Sequence, residues 1–479
     1  MTHEEEPGYE RPSGTNPDPH DILIDEVKGH HRRFMKLIHL THSSTRAAGV
    51  MLGAAIVSII IANTGLYEGF LEFWSTHVAV SIGELHGEMS LLHVVNDLLM
   101  ALFFLLIGLE IKYETTVGEL TNIRQAALPI IAAMGGVLMP IVVYSLINAG
   151  DPATAGGWGV PTATDIAFAL GIMALLGDRV PTGVKVFLST LAVADDIIAI
   201  LVIAIFYGAA PSIPWLLAAA AVLVVLIVMN RMHVFALTPY MLVGMVLWFC
   251  VYLSGVHATI AGVLLAIAIP SGSRVKLSNF LDWSRERVEE AGEIYDADAP
   301  VVTQPEYITT VKSLSRISRQ VLPPVTRLEH KLHPWVYFAV LPLFALANAD
   351  VSFAGSDIGA MLGSPVLMGV FFGLVLGKPL GIMLFSFLAV KLRIASLPER
   401  VNWMHMLGAA ILGGVGFTMA IFVANLAYAD PSLIADAKLA ILTASLVAGV
   451  VGFVVLYRQA ASAPEENDPE AAAKEPMIF

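Results

Sequence analysis

The sequence predicts an all-α polytopic membrane protein of about twelve transmembrane helices, and three observations carry that expectation. Of 479 residues, 56% are hydrophobic and only 14% are charged, with a mean hydropathy of +0.73. A soluble core cannot hide so much apolar surface, so lipid is the expected solvent. The apolar residues arrive in blocks of roughly 18 to 25, the length at which a helix rising 1.5 Å per residue crosses a hydrocarbon slab. Lys and Arg, finally, gather in alternate connections between those blocks. The alternating segments of about ten residues that mark a transmembrane β-barrel are missing.

Taken in order, the chain opens on a tail, residues 1–40, whose first 26 residues are acidic and Pro-rich. A cleavable signal needs a basic start and an apolar centre, so the first span is expected to direct insertion itself. Eight spans are placed within 41–270, over 47–63, 91–111, 126–147, 158–176, 184–207, 215–229, 235–253 and 256–269. A connection at 271–332, acidic around Glu286 to Asp298, is expected to be solvated. Four further spans follow within 333–458, over 336–349, 365–390, 406–427 and 440–457, before a tail at 459–479. The net charge of −13 falls largely on the tails and that acidic stretch. One set of connections holds Arg32, Arg33, Lys36, Lys112, Arg124, Arg179, Lys185, Arg231, Arg327, Lys391, Arg393 and Arg458; Lys438 is the exception in the other set. Positive charge is retained on the cytoplasmic side, so both termini are expected there, and an even span count agrees. The single cysteine, Cys250, lies inside an apolar run and excludes an intrachain disulfide framework or a thiolate metal cluster.

Transporters are often built from inverted halves whose interrupted helices meet at the substrate site. Two spans look interrupted in matching places. The fourth carries Pro161-Thr162-Ala163-Thr164-Asp165, and the eleventh carries Gly413-Gly414-Val415-Gly416-Phe417-Thr418. Each sits in the middle of a three-span group, 126–207 and 365–457, and an odd number of spans separates the groups, so they would insert upside down relative to each other. Small residues at those places also serve plain helix packing, and spacing alone leaves the two readings even.

Ionisable residues inside the spans carry the chemistry. Asp165 lies in the fourth span, Asp195 and Asp196 side by side in the fifth, Lys378 in the tenth, and Asn96-Asp97 at the start of the second. Burying the four charges of Asp165, Asp195, Asp196 and Lys378 costs on the order of 10 kcal/mol, which a structural protein gains little by spending. Adjacent helical residues diverge by about 100°, so the two fifth-span acids divide their work. Asp195 is expected to pair with Lys378, while Asp196 faces a water-filled crevice with Asp165 or with carbonyls freed by the interrupted helices. Asp165 would neutralise facing helix N-termini and Lys378 facing C-termini. With Thr164 these groups supply the oxygen ligands that a hard cation such as Na⁺ prefers. Carboxylates that take either Na⁺ or protons couple the two by competition.

At these residues the sequence closely resembles the NhaA family of Na⁺/H⁺ antiporters. The matching strings are NDLLMALFFLLIGLEIK, PTATDIAFALGIMALLGDRVP, LAVADDIIAI, SGVHATIAGV, RLEHKLHPW, LPLFALANA, GKPLGI and GGVGFTMAIF, spread over about residues 40 to 458. The resemblance implies electrogenic exchange of about two protons for one Na⁺ or Li⁺ by alternating access, with Asp196 and Asp195 as carriers and the site for Na⁺. It implies that Thr164 and Asp165 support the helix crossing, with Gly413, Gly414 and Gly416 at the eleventh-span break, and that Lys378 pairs with Asp195. Glu110, Glu114, Glu329 and His330 resemble a cytoplasmic funnel tied to pH activation, and His257 a position tied to pH response. The implied setting is a bacterial inner membrane, multi-pass, with both termini cytoplasmic. The connection from about 271 to 324 departs from the family by its length and acidity, and bears on the pH range.

Rival classes fit less well. An intramembrane aspartyl protease needs its two acids on facing helices in Tyr-Asp and Gly-x-Gly-Asp settings, and neither surrounds Asp165, Asp195 or Asp196. A Na⁺-coupled symporter of an organic anion keeps the inverted-repeat fold, but Lys378 beside two acids offers no anion pocket. Nothing suggests the symmetric pore of a channel. The expected partners are Na⁺, Li⁺, H⁺ and the lipid bilayer, with no nucleic acid, no cofactor and no enzymatic step, and a homodimer is left open.

Overall fold

The computed structural model describes residues 44–82, 85–121, 123–208, 211–273, 275–353, 363–398 and 400–461. The tails at 1–40 and 462–479, and Arg32, Arg33 and Lys36 with them, lie outside the described residues. The fold is all-helical apart from one hairpin. Helix α1 (Ser44–Ala62) leads through a short helix, Tyr67–Ser75, to strands β1 (His77–Ile82) and β2 (Leu85–Ser90), paired antiparallel with His77 opposite Ser90 and Ile82 opposite Leu85. Helix α2 (Leu91–Thr116) runs on through a π turn at Val94–Leu99, and α3 (Ile123–Ile147) holds Pro129 and Pro140 within its length. A 3₁₀ segment, Gly156–Thr162, leads through extended backbone to α4 (Ile166–Ala174). Then come α5 (Thr182–Phe206), α6 (Ile213–Arg231), α7 (Leu237–Leu253) and α8 (Ile260–Ala268).

The connection expected to be solvated holds α9 (Leu277–Ile294), α10 (Pro305–Val321) and the start of α11 (Pro324–Trp335), with α9 and α10 mostly exposed. Apart from Asp282, Asp296 and Asp298 its charged residues are Glu, Lys and Arg, which favour helices as well as water. Arg287 pairs with Glu290 one turn on, and the rings of Tyr295 and Tyr307 meet with centroids 5.1 Å apart to tie α9 to α10. Beyond a π turn at Val336–Val340 come α12 (Leu341–Asn348) and α13 (Pro365–Lys391), the latter with a π turn at Gly373–Gly377. Helices α14 (Trp403–Gly413), α15 (Phe417–Ala427) and α16 (Pro431–Ala461) complete the described residues.

Among the described residues, seven helices are long and apolar enough to cross a bilayer, and an eighth crossing follows if α14 and α15, bent by 44° at their junction, count as one. Helix α7 is apolar but 17 residues long. The region read as the ninth span holds α12, continuous with α11 through the π turn at Val336–Val340, whereas those read as the fourth and eighth hold α4 and α8, of nine residues each. At 1.5 Å per residue such helices reach less than half of the hydrocarbon thickness.

The core is closed by aromatic contacts and by close backbone approach. Phe422 of α15 packs on Phe104 of α2 at 5.5 Å and on Phe344 of α12 at 6.2 Å between ring centroids. Helices α3 and α13 meet at Gly135 and Gly381, where a methyl group on either would overlap the carbonyl of the other. That approach sets α13 deep against its neighbours, and the π turn at Gly373–Gly377 ends directly before Lys378.

Candidate functional site

Two interruptions cross at the centre of the site. After the 3₁₀ segment the chain is extended at Ala163 and again at Asp165, which caps α4 by accepting from Phe168 N at 3.0 Å. Helix α14 stops at Gly413, and α15 restarts at Phe417. Gly414 allows the approach there, since a Cβ would stand 2.5 Å from Leu374 O. The breaks are joined by backbone and side chain alike. Asp165 N–H donates to Val415 O at 2.7 Å, and Thr164 Oγ1 lies 2.9 Å from Gly413 O, which shares the single hydroxyl proton with Asp195. The second Asp165 oxygen accepts from Thr418 N at 3.2 Å and from Thr418 Oγ1 at 2.5 Å. One carboxylate thus satisfies an N-terminal donor of α4 and one of α15, where helix dipoles favour negative charge.

The fifth-span acids sit beside this crossing and differ in their bonding. Asp195 Oδ2 accepts from Lys378 Nζ at 2.7 Å and from Thr164 Oγ1 at 2.7 Å, and Lys378 Nζ also donates to Thr162 O at the end of the 3₁₀ segment. The ion pair is sealed, with side chains 1% and 3% exposed. Its other oxygen, Asp195 Oδ1, is enclosed without a partner. Asp196 is 4% exposed, and its carboxylate makes no hydrogen bond among the described residues. Asp195 is therefore bound into the framework, while the Asp196 carboxylate has no hydrogen-bond partner among the described residues.

The structure also gathers the four residues of the expected funnel. Glu110 and Glu114 lie one turn apart near the end of α2, against which α11 packs with Glu329 and the exposed His330. Glu110 is within electrostatic reach of Glu114, Glu329 and Asp196. In α11, burial raises the Glu329 carboxyl above the usual range, with His330 pulling it down and Glu114 pushing it up. His257 is placed elsewhere, between α7 and α8, with Nε2 2.5 Å from Tyr207 O. Gly413, Gly414 and Gly416 all stand at the break they were expected to support.

Several partners carried no warning in the sequence. Thr418 completes the coordination of Asp165. Tyr337, in the π turn before α12, is electrostatically coupled to Glu110, Asp165, Asp196 and Glu329. Asn348, 1% exposed, uses its whole carboxamide: it exchanges hydrogen bonds with Asn96, accepts from Asn425 at 2.8 Å and donates to Phe344 O at 3.0 Å. Lys438, the lone exception to the charge pattern, pairs with Asp350 at 2.8 Å. Lys112 donates to Ile267 O at 2.6 Å and to Ile269 O, at the carbonyl end of α8.

Apolar helices of spanning length, two crossed interruptions and a sealed lysine–carboxylate pair beside an unbonded acid define a polytopic α-helical membrane protein with an ionisable core. The chain belongs to the Na⁺/H⁺ antiporter 1 family, whose model matches residues 39–456. Among its relatives is a Na⁺/H⁺ antiporter NhaA of Wolinella succinogenes, 44% identical over 420 residues, which covers 87% of this chain and 92% of the relative. Another is the antiporter of the same name from Oleidesulfovibrio alaskensis, 44% identical over 444 residues, covering 92% and 96%. A third, from Acidithiobacillus ferrooxidans, is 46% identical over 418 residues, covering 87% and 95%.

Proposed function

We propose that the protein exchanges Na⁺ or Li⁺ for protons across a bacterial inner membrane by alternating access, with Asp196 and Asp195 as carriers and about two protons moved per Na⁺. In this reading twelve crossings form two inverted repeats. The half-length helices around the fourth and eleventh breaks supply the midplane, and both termini are cytoplasmic. The observation that carries it is the inequality of the two acids. Asp195 is held by Lys378 and Thr164, whereas Asp196 has no hydrogen-bond partner among the described residues. An unpartnered buried carboxylate is costly unless a proton or a cation neutralises it, so Asp196 holds one or the other. When Na⁺ is present its ligands are carboxylate, hydroxyl and carbonyl oxygens, a hard set suited to a hard ion.

Everted vesicles that contain the protein should lose an imposed pH gradient when Na⁺ or Li⁺ is added. No response between about pH 6 and pH 9 would end the antiporter reading. Moving about two protons against one Na⁺ carries one net charge, so each cycle draws roughly 2.3 kcal/mol per 100 mV of membrane potential. The rate should therefore respond to voltage, and an insensitive rate would mean one-for-one exchange.

Regulation by pH follows from the funnel. Because the Glu329 carboxyl titrates above the usual range, it is neutral at lower pH and adds a negative charge beside Glu110 and Glu114 as pH rises. That charge draws cations toward Asp196, so exchange should climb with pH. Glu329→Gln imitates the protonated form permanently, and its activation by pH should be shallower. An unchanged profile would remove Glu329 from the switch.

A further inference from the structure

The fourth-span interruption is also held at its far end, away from the carboxylates. Tyr207, which closes α5, turns its hydroxyl onto the 3₁₀ segment, donating to Gly156 O at 2.8 Å and accepting from Gly159 N–H at 2.9 Å. The fit is tight, since a Cβ on Gly159 would stand 2.5 Å from the Tyr207 hydroxyl and 2.9 Å from its ring. The backbone carbonyl of Tyr207 is in turn bonded to His257 Nε2 at 2.5 Å. From Gly159 the contacts continue toward the ions. Thr162 Oγ1 donates to Gly159 O at 2.7 Å, Thr162 O accepts from Lys378 Nζ, and Lys378 Nζ reaches Asp195 at 2.7 Å.

A 3₁₀ helix has poorer hydrogen-bond geometry than an α-helix, and this one begins Gly156-Gly157-Trp158-Gly159, with little stiffness of its own. A phenol that donates at one residue and accepts three residues later fixes that turn from outside. We infer that Tyr207 is a positioning residue for the cation site: its hydroxyl sets the turn whose last carbonyl holds Lys378 against Asp195, and His257 anchors Tyr207. The inference rests on the proposed role of Asp195 and Asp196 and names a group that acts on them through the backbone, without touching the ion.

The test is the Na⁺ and Li⁺ concentration dependence of exchange in vesicles for Tyr207→Phe, Thr162→Val and the double variant. Phenylalanine keeps the ring and removes only the hydroxyl. Each single change should raise the apparent KM by about five- to tenfold and leave the maximal rate within about twofold, the sign of lost ground-state binding. The double variant should be no worse than the weaker-binding single variant, because both changes cut one chain of contacts. A merely structural role would lower the amount of folded protein and the maximal rate without moving KM. Wild-type KM in Tyr207→Phe, or fully multiplied effects in the double, would overturn the inference. Should Tyr207→Phe fail to accumulate, Thr162→Val carries the test alone. Asp196→Asn in the same vesicles separates the two levels: exchange retained there sinks the site, whereas exchange lost there with an unmoved KM in Tyr207→Phe sinks only Tyr207.

Discussion

Asp196→Asn should abolish Na⁺- and Li⁺-dependent exchange, a loss of at least about 100-fold, or roughly 2.7 kcal/mol in barrier, with the protein still folded and inserted. Asparagine has nearly the shape of aspartate but neither charge for the cation nor a titratable proton at physiological pH. The neighbour cannot take over, because Asp195 already accepts from Lys378 and Thr164 through one oxygen and keeps the other enclosed. Since the Asp196 carboxylate has no hydrogen-bond partner among the described residues, the substitution breaks no internal bond. Thermal stability should therefore stay near wild type. Collapse of the fold would mean the residue is structural, and turnover near wild type would place the carrier elsewhere.

Lys378→Met should have the largest effect on stability. The ammonium is 1% exposed and bonded to Asp195 and to Thr162 O. Its removal leaves a sealed carboxylate facing no positive partner, for which the usual penalty is about 3–5 kcal/mol. Combining it with Asp195→Asn removes both charges and should recover most of that loss, as replacement of buried ion pairs by neutral groups of similar volume often does. The measurement is thermal unfolding of purified protein in detergent for the two single variants and the double. Additive losses would show that the pair is not the unit that holds α13 against α5 and the 3₁₀ segment.

What the sequence made legible follows from cost. An Asp or Lys in an apolar run stands out because burying it is expensive, so Asp165, Asp195, Asp196 and Lys378 were readable as a site and the structure brings them together. Gly413-Gly414-Val415-Gly416 marked the second break by composition alone. Thr418, Tyr207 and Asn348 gave no such signal, because a hydroxyl or carboxamide in a span is cheap and common. Their roles arise only where separate helices cross. The long apolar helices were visible as runs, but the π turns before Met100, Leu341 and Lys378 insert an extra residue that hydropathy does not register. The hairpin at His77–Ser90 fell in a connection whose short alternating runs were overshadowed by the apolar blocks on either side. In the 271–332 connection charge signals solvation but not the helices α9 and α10 that the same residues build.

Central to this account is that a proton and a sodium ion compete for the same acidic oxygens. Adding Na⁺ to purified, weakly buffered protein and recording the pH of the solution tests this without any membrane. Protons should be released as the cation binds, approaching about two per Na⁺ where both acids start protonated, with none released by Asp196→Asn. Binding of Na⁺ with no proton appearing in solution at any pH would contradict it.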